Sequence, residues 1–127
     1  MKIAKAVIVG LLVLGPSGLA AQETQEPQQQ NWPVLIAQLR QEVQRRPGLA
    51  HPREQLAIAY NNYGVSLSDA GQWDVAVSQL QEAIRIDPKN DQFRHNLANV
   101  YLNQALTFHL SHRETEALSL VEQAIGL

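Results

Sequence analysis

The 127-residue chain contains no cysteine and little charge. Without cysteine, neither a disulfide framework nor a thiolate metal site can form, and a lipoprotein anchor, which needs a cysteine at its processing site, is excluded. Charged residues make up 17% of the chain and the net charge is −2, so neither nucleic acid nor an anionic membrane surface is indicated as a partner. Apolar residues make up 45%, which is enough to form the core of one small domain.

Long hydrophobic runs are also missing. The longest, Ala6–Leu14, follows two lysines and is broken by Gly15–Ser17, and at nine residues it is shorter than the stretch of about 20 that spans a membrane. These features predict a secretory signal peptide over residues 1–20, cleaved after Ala20 or, as second choice, after Ala21. The alternative is an uncleaved membrane anchor. Cleavage would remove the two lysines, leaving a net charge near −4, in the periplasm or an equivalent extracytoplasmic compartment.

The next segment changes from a tether to a helix. Residues 21–31 are rich in glutamine and almost without apolar side chains, so we expect a disordered tether. Asn31, Trp32 and Pro33 indicate a helix start, and apolar residues at 35, 39 and 43 then recur every four positions. Two arginines and a Pro-Gly pair end the pattern near residue 46. We predict an irregular capping helix over 33–46.

The segment Ala57–Asn90 organises the remainder of the chain. After a loop at Leu49–His51, we expect a helix from Pro52 to about Ala70, a turn at Gly71, and a second helix over Trp73–Ile86. Small residues stand where two helices would cross closely, and Gly and Pro stand at the two breaks. The positions that carry this pattern are Tyr60, Tyr63, Gly64, Leu67, Ala76, Leu80, Ala83 and Pro88. The most probable role of Trp73 is core packing beside the turn.

This pattern resembles the tetratricopeptide repeat, a helix–turn–helix unit of about 34 residues. A second unit begins at Asp91, 34 residues after Ala57, but its small-residue pair is displaced by 41. We therefore predict a seven-residue insertion around Gln104–Leu110, a helix from Asp91 to about His109, a turn, and a last helix over Glu114–Ile125. The second unit's repeat positions are Leu97, Ala98, Tyr101, Ala117 and Ala124. The resemblance implies an all-α superhelix of about five helices over 32–127, with units 57–90 and 91–127.

Six amide side chains form the candidate binding site: Asn61, Asn62, Gln92, Asn96, Asn99 and Asn103. The last four fall within a sector of about 60° on one helix, taking about 100° per residue. In the family that the segment resembles, the first helices line a concave groove, and an asparagine there holds a peptide backbone through its donor and acceptor groups. A solvated polar face without a ligand is the alternative. The cations that clamp a C-terminal carboxylate in some relatives are absent, since Asn61, Val65 and Asn96 stand there, so a chaperone-tail receptor is not expected.

The end of the chain offers a second surface. Leu118, Val121 and Ile125 would have only one neighbouring layer, so a second copy or a larger complex would cover them, or the sequence is a piece of a longer protein. His109 and His112 lie near Glu114, but a metal site needs three or four converging ligands, and ordinary surface histidines explain them. Because no phosphate loop or nucleophile elbow is found, we expect no enzyme, cofactor or metal.

Two functions remain as hypotheses. The first is an exported interaction module, an adaptor or assembly factor that binds a peptide or protein in the groove of the first helices. The second is a structural subunit that self-associates or joins a larger complex through its C-terminal face.

Overall fold

The computed structural model describes residues 30–127, so the predicted signal peptide and nearly all of the predicted tether lie outside the described residues. The described part forms five α-helices and no strand, which confirms the predicted all-α fold. None of these helices is both long and apolar enough to cross a membrane. The helices are α1 Trp32–Arg45, α2 Ala50–Asp69, α3 Trp73–Ile86, α4 Asp91–Leu110 and α5 Glu114–Ile125.

Helix starts follow local capping chemistry. The Asn31 side chain accepts a hydrogen bond from the Val34 N–H at 3.3 Å, which satisfies one of the free donors at the start of α1. Asn90 caps α4 in the same way, through the Gln92 N–H at 3.1 Å. The expected loop at Leu49–His51 is wrong, because α2 already begins at Ala50. Pro52 then lies in the first turn, where a missing N–H breaks no intrahelical bond.

The turns after α2 and α4 have the same geometry. After α2, the Gly71 N–H donates to the Ser68 carbonyl and the Gln72 N–H to the Leu67 carbonyl, both at 2.9 Å. The turn after α4 repeats these two bonds with His112 in the place of Gly71. Gly71 and His112 have φ of 73° and 56°, which is the left-handed conformation of this helix end. Histidine therefore occupies a backbone position that normally favours glycine.

The equal lengths of α2 and α4 correct the predicted insertion. Both helices have 20 residues, and the distance from Ala50 to Asp91, or from Asp69 to Leu110, is 41 positions. The two left-handed turn residues are also 41 apart. The seven residues placed as an insertion in the second unit therefore have a counterpart in the first, at the start of α2. A template of 34 residues missed them because it began counting at Ala57, one helical turn or more inside the helix.

The core is formed by the apolar residues that the repeat pattern singled out. Leu80 and Ala76 of α3 are fully buried, and Leu97 and Tyr101 of α4 pack with them in one cluster that extends to α5. A second cluster joins α1 to α2, α3 and α4 through residues such as Ile36, Leu56, Tyr60, Ala83 and Phe93. The half-buried side chain of Trp73 packs against the first cluster, as predicted.

The helices are arranged so that α2 and α4 form one side of the domain. Each helix packs against the next along the chain, and α2 also contacts α4 directly. Among the five described helices, α1, α3 and α5 make no such contact with one another. Helices that touch on one side and separate on the other produce a curved array. The α2–α4 side is therefore the inner face.

Candidate functional site

Four of the six predicted amides form one hydrogen-bonded chain across the inner face. Gln92 donates to the side-chain oxygen of Asn96 at 3.0 Å, and Asn96 donates to that of Asn61 at 2.7 Å. Asn61 in turn donates to Asn62 at 3.0 Å. Because Gln92 and Asn96 lie on α4 and the other two on α2, the chain joins the two first helices. Each amide uses its donor towards the next, so the orientation of the whole chain is fixed.

Asn61 has a structural role that the sequence did not reveal. Its side chain is only 8% exposed, and it accepts from Asn96 while donating to Asn62. A buried amide without partners would cost about 1–3 kcal/mol, so this pairing stabilises the contact between α2 and α4. Asn61, predicted to line an open groove, is therefore the bridge beneath it. Its counterpart 41 positions later is Leu102.

The remaining amides are accessible. Asn62, Gln92, Asn99 and Asn103 are exposed, and Asn96 is half-buried. Asn99 and Asn103 make no side-chain hydrogen bond to another residue of the described range 30–127, so their donors and acceptors face solvent. At the observed repeat spacing, Asn62 corresponds to Asn103, not to Asn96 as the shorter template had it. We use the name amide row for the four exposed asparagine and glutamine side chains together with Asn96.

A family profile described as tetratricopeptide repeat matches residues 55–127, more than half of the chain. The chain belongs to the tetratricopeptide repeat family. No curated protein and no solved structure matches it. Tetratricopeptide repeats form a non-catalytic fold that binds proteins or peptides, so the protein is an interaction module of this class.

Apolar side chains accompany the amides at repeat-equivalent places. On α2, Asn62 and Val65 share one face, and the corresponding pair on α4 is Asn103 and Leu106. Val65 and Leu106 are both exposed, at 36% and 57%. Sequence reasoning treated the inner face as purely polar and missed them, although their spacing of three residues from each asparagine was visible. The two first helices of the repeats thus present the same alternation of amide and apolar side chain.

The outer side of the repeats has a different chemistry. A cleft of about 610 Å³ opens between α1 and α3, with Tyr60 and Tyr63 among its lining residues and Glu82 and Arg85 at its edge. Arg85 donates two hydrogen bonds to Glu82, at 3.1 and 2.9 Å, and this partner raises the pKa of the arginine. Its charges are therefore already paired. The inner face offers unpaired amides instead, and it is the better candidate for binding a peptide main chain.

The histidines near the last turn form a small polar contact. His109 Nδ1 lies 2.8 Å from a carboxylate oxygen of Glu114, and both side chains are exposed. Within residues 30–127 no three histidine or acidic side chains are grouped so that they could hold a metal ion. Arg113 lies 4.0 Å above the Phe108 ring and donates to Glu116 at 3.0 Å. These contacts fix the turn between α4 and α5.

Proposed function

We propose that this tetratricopeptide repeat protein is exported and binds an extended segment of a partner protein along the amide row. The observation that supports this most is the repetition of exposed asparagine beside exposed apolar residue on both first helices. Amides can pair with both the N–H and the C=O groups of an extended chain. The accompanying apolar positions would receive alternate side chains of the same segment.

The spacing of the amides suits an extended peptide. Asn99 and Asn103 are four residues apart on α4, which corresponds to about 6 Å along a helix. Two residues of an extended chain advance by about 6.6 Å. Successive amides on α4 could therefore meet every second residue of a bound strand, and side chains that point the same way would all face Leu106 and its neighbours.

A triple substitution tests this binding mode. Asn62→Ala, Asn99→Ala and Asn103→Ala remove three exposed amides and leave the buried bridge of Asn61 and Asn96 intact. Each lost hydrogen bond is worth about 0.5–1.5 kcal/mol, so the three together should weaken affinity roughly tenfold or more. The measurement is titration of the partner purified from the envelope fraction of the source cells.

The matched control removes exposed amides from the outer helices. Gln44→Ala on α1 and Gln81→Ala on α3 make the same chemical change away from the inner face. Circular dichroism should show both variants folded, because all the substituted side chains are exposed. Parent-like affinity in the triple variant, or equal losses in the triple variant and the control, would rule out the amide row as the binding site.

The exported location has its own test. Mass spectrometry of the protein from the extracytoplasmic fraction should find an N-terminus at Ala21 or Gln22, as the sequence predicts. An intact Met1 on protein recovered from a membrane fraction would contradict cleavage. This result would leave the binding proposal untouched, since the amide row lies wholly within the helical domain.

A further inference from the structure

A second groove lies at the end of the array, between α4 and α5. It has a volume of about 330 Å³ and is lined by Leu102, Leu106, Leu118 and Val121, with His109 and Glu114 at one end. Leu102 and Leu118 are 45% and 60% exposed, which is unusual for neighbouring large apolar residues. This surface, which we name the end groove, faces away from the rest of the domain and differs from the amide row.

The repeat correspondence shows what fills the equivalent groove in the first unit. Subtracting 41 positions converts Leu102, Leu118 and Val121 into Asn61, Val77 and Leu80. These residues are covered by α4: Asn61 is bonded to Asn96, and Leu80 is fully buried in the cluster that contains Leu97, Val100 and Tyr101 of α4. The first groove is therefore occupied by an amphipathic helix.

We infer that the end groove binds a basic amphipathic helix of another protein, seated as α4 is seated on α2 and α3. The apolar side of that helix would follow the pattern of α4, in which Phe93, Leu97 and Val100 are buried at spacings of four and three residues. Its ligand is a helix and not an extended strand, so this site is independent of the amide row.

The charge of the partner follows from the rim of the groove. Trp73 in the first unit is replaced by Glu114 in the second, 41 positions later. From Leu102 to Leu127, three glutamates stand against one arginine, with the histidines neutral. An apolar groove with a negative rim attracts a cationic helix and repels an acidic one, an effect that salt screens beyond about 10 Å.

A second copy of this chain does not fit the groove equally well. Both of its first helices already have their apolar sides covered, α2 by α1 and α4 by α3. Pairing two end grooves face to face would bring two negative rims together. The occupant is therefore a helix from a different protein.

The test uses two synthetic peptides with the sequence of α4, residues 91–110, labelled with fluorescein. One carries Gln92→Lys, Asn99→Lys and Asn103→Lys, and the other carries glutamate at these positions, which lie on the exposed side of α4. Fluorescence anisotropy with the full chain should show the lysine peptide binding more tightly than the glutamate peptide by about fivefold or more at low salt, a difference that shrinks as salt is added.

Variants of the protein locate the binding. Leu102→Ser with Leu118→Ser should weaken the lysine peptide about tenfold or more, because two exposed leucines lose the apolar surface that the helix would cover. The control is Val34→Ser with Val75→Ser, which changes two equally exposed valines on α1 and α3 and should leave binding unchanged. Circular dichroism checks that both pairs remain folded.

Three results would overturn the inference. The first is no saturable binding of either peptide, or equal binding to the leucine variant and the parent. The second is equal affinity for the lysine and glutamate peptides at low salt, which would remove the basic partner. The third is a concentration-dependent dimer in light scattering that the leucine substitutions dissociate, which would make a second copy the occupant. None of these results bears on the amide row, whose variants leave Leu102 and Leu118 intact.

Discussion

Replacing Gly64 by alanine tests the packing of the first repeat at its tightest point. A Cβ at this position would lie 2.6 Å from Leu80 Cγ and 3.0 Å from the Ala76 carbonyl oxygen. Carbon atoms in contact prefer about 3.5–4.0 Å, so the neighbours must move by roughly 1 Å. Leu80 is fully buried and has no free space beside it. The helices α2 and α3 must therefore separate, which disturbs the core that they share with α4.

The size of the effect follows from two opposing terms. Overpacking of this kind costs about 1–3 kcal/mol, and the very short contact places Gly64→Ala in the upper half of that range. Alanine in a helix regains about 0.8–1 kcal/mol relative to glycine. The net loss should be about 1–2 kcal/mol, equivalent to a decrease in Tm of roughly 5–15 °C for a domain of this size. Thermal and urea unfolding followed by circular dichroism measure it.

A second substitution determines whether the contact with Leu80 is the cause. Leu80→Ala alone should cost about 2–5 kcal/mol, because it leaves a cavity at a fully buried site. In that background the new methyl group of Gly64→Ala points into free space, so the same substitution should stabilise the protein by up to about 1 kcal/mol. Gly48→Ala is the control, since a Cβ there meets no atom within 4 Å. Gly64→Ala with a Tm at or above the parent value would refute the close crossing.

The other predictions concern the second turn, its helix start and the amide bridge. His112→Gly should raise stability by about 1 kcal/mol in urea unfolding, because His112 holds a left-handed conformation, and Gly71→Ala should lower it by a similar amount; a loss in the first variant would contradict the turn geometry. A hydrogen bond from its own backbone N–H, and then Arg113, lower the pKa of Glu116, so its contribution is present above its unfolded pKa and is lost as pH falls through the folded value. Glu116→Gln should therefore flatten the acid side of the stability profile, and an unchanged profile would contradict this. Asn61→Ala should cost about 1–3 kcal/mol in the same assay, because it removes the acceptor of the bridge between α2 and α4, and a loss below 0.5 kcal/mol, a threshold set under the usual range, would contradict its structural role.

The sequence predicted the helices well, because their ends carry strong local signals. Gly71 and Pro88 mark two breaks, and the periodic apolar residues between them identify the buried sides. The last helix has the predicted bounds, Glu114–Ile125. These features depend on residues close together in the chain, which is the range over which turn chemistry and periodicity act.

The repeat length and the role of Asn61 were not predictable in the same way. The family length of about 34 residues fits the first unit only from Ala57 onwards, and the burial of Leu56 and Pro52 before it became visible only in the fold. Asn61 and Asn96 are 35 residues apart, so the burial of their bridge depends on how closely α2 and α4 approach. Helix periodicity gives the direction of a side chain and does not reveal which distant helix it meets.

The central claim is that the amide row on the inner face meets the partner. Its most direct test is a photo-crosslinking amino acid placed singly at Asn99 and Asn103 on the inner face, and at Gln44 and Gln81 on the outer helices, in the source cells. All four positions are exposed, so each probe should leave the fold unchanged. The account predicts that irradiation links the inner positions to one protein and that the outer positions give no such product. Crosslinks to that protein from the outer positions alone would contradict it.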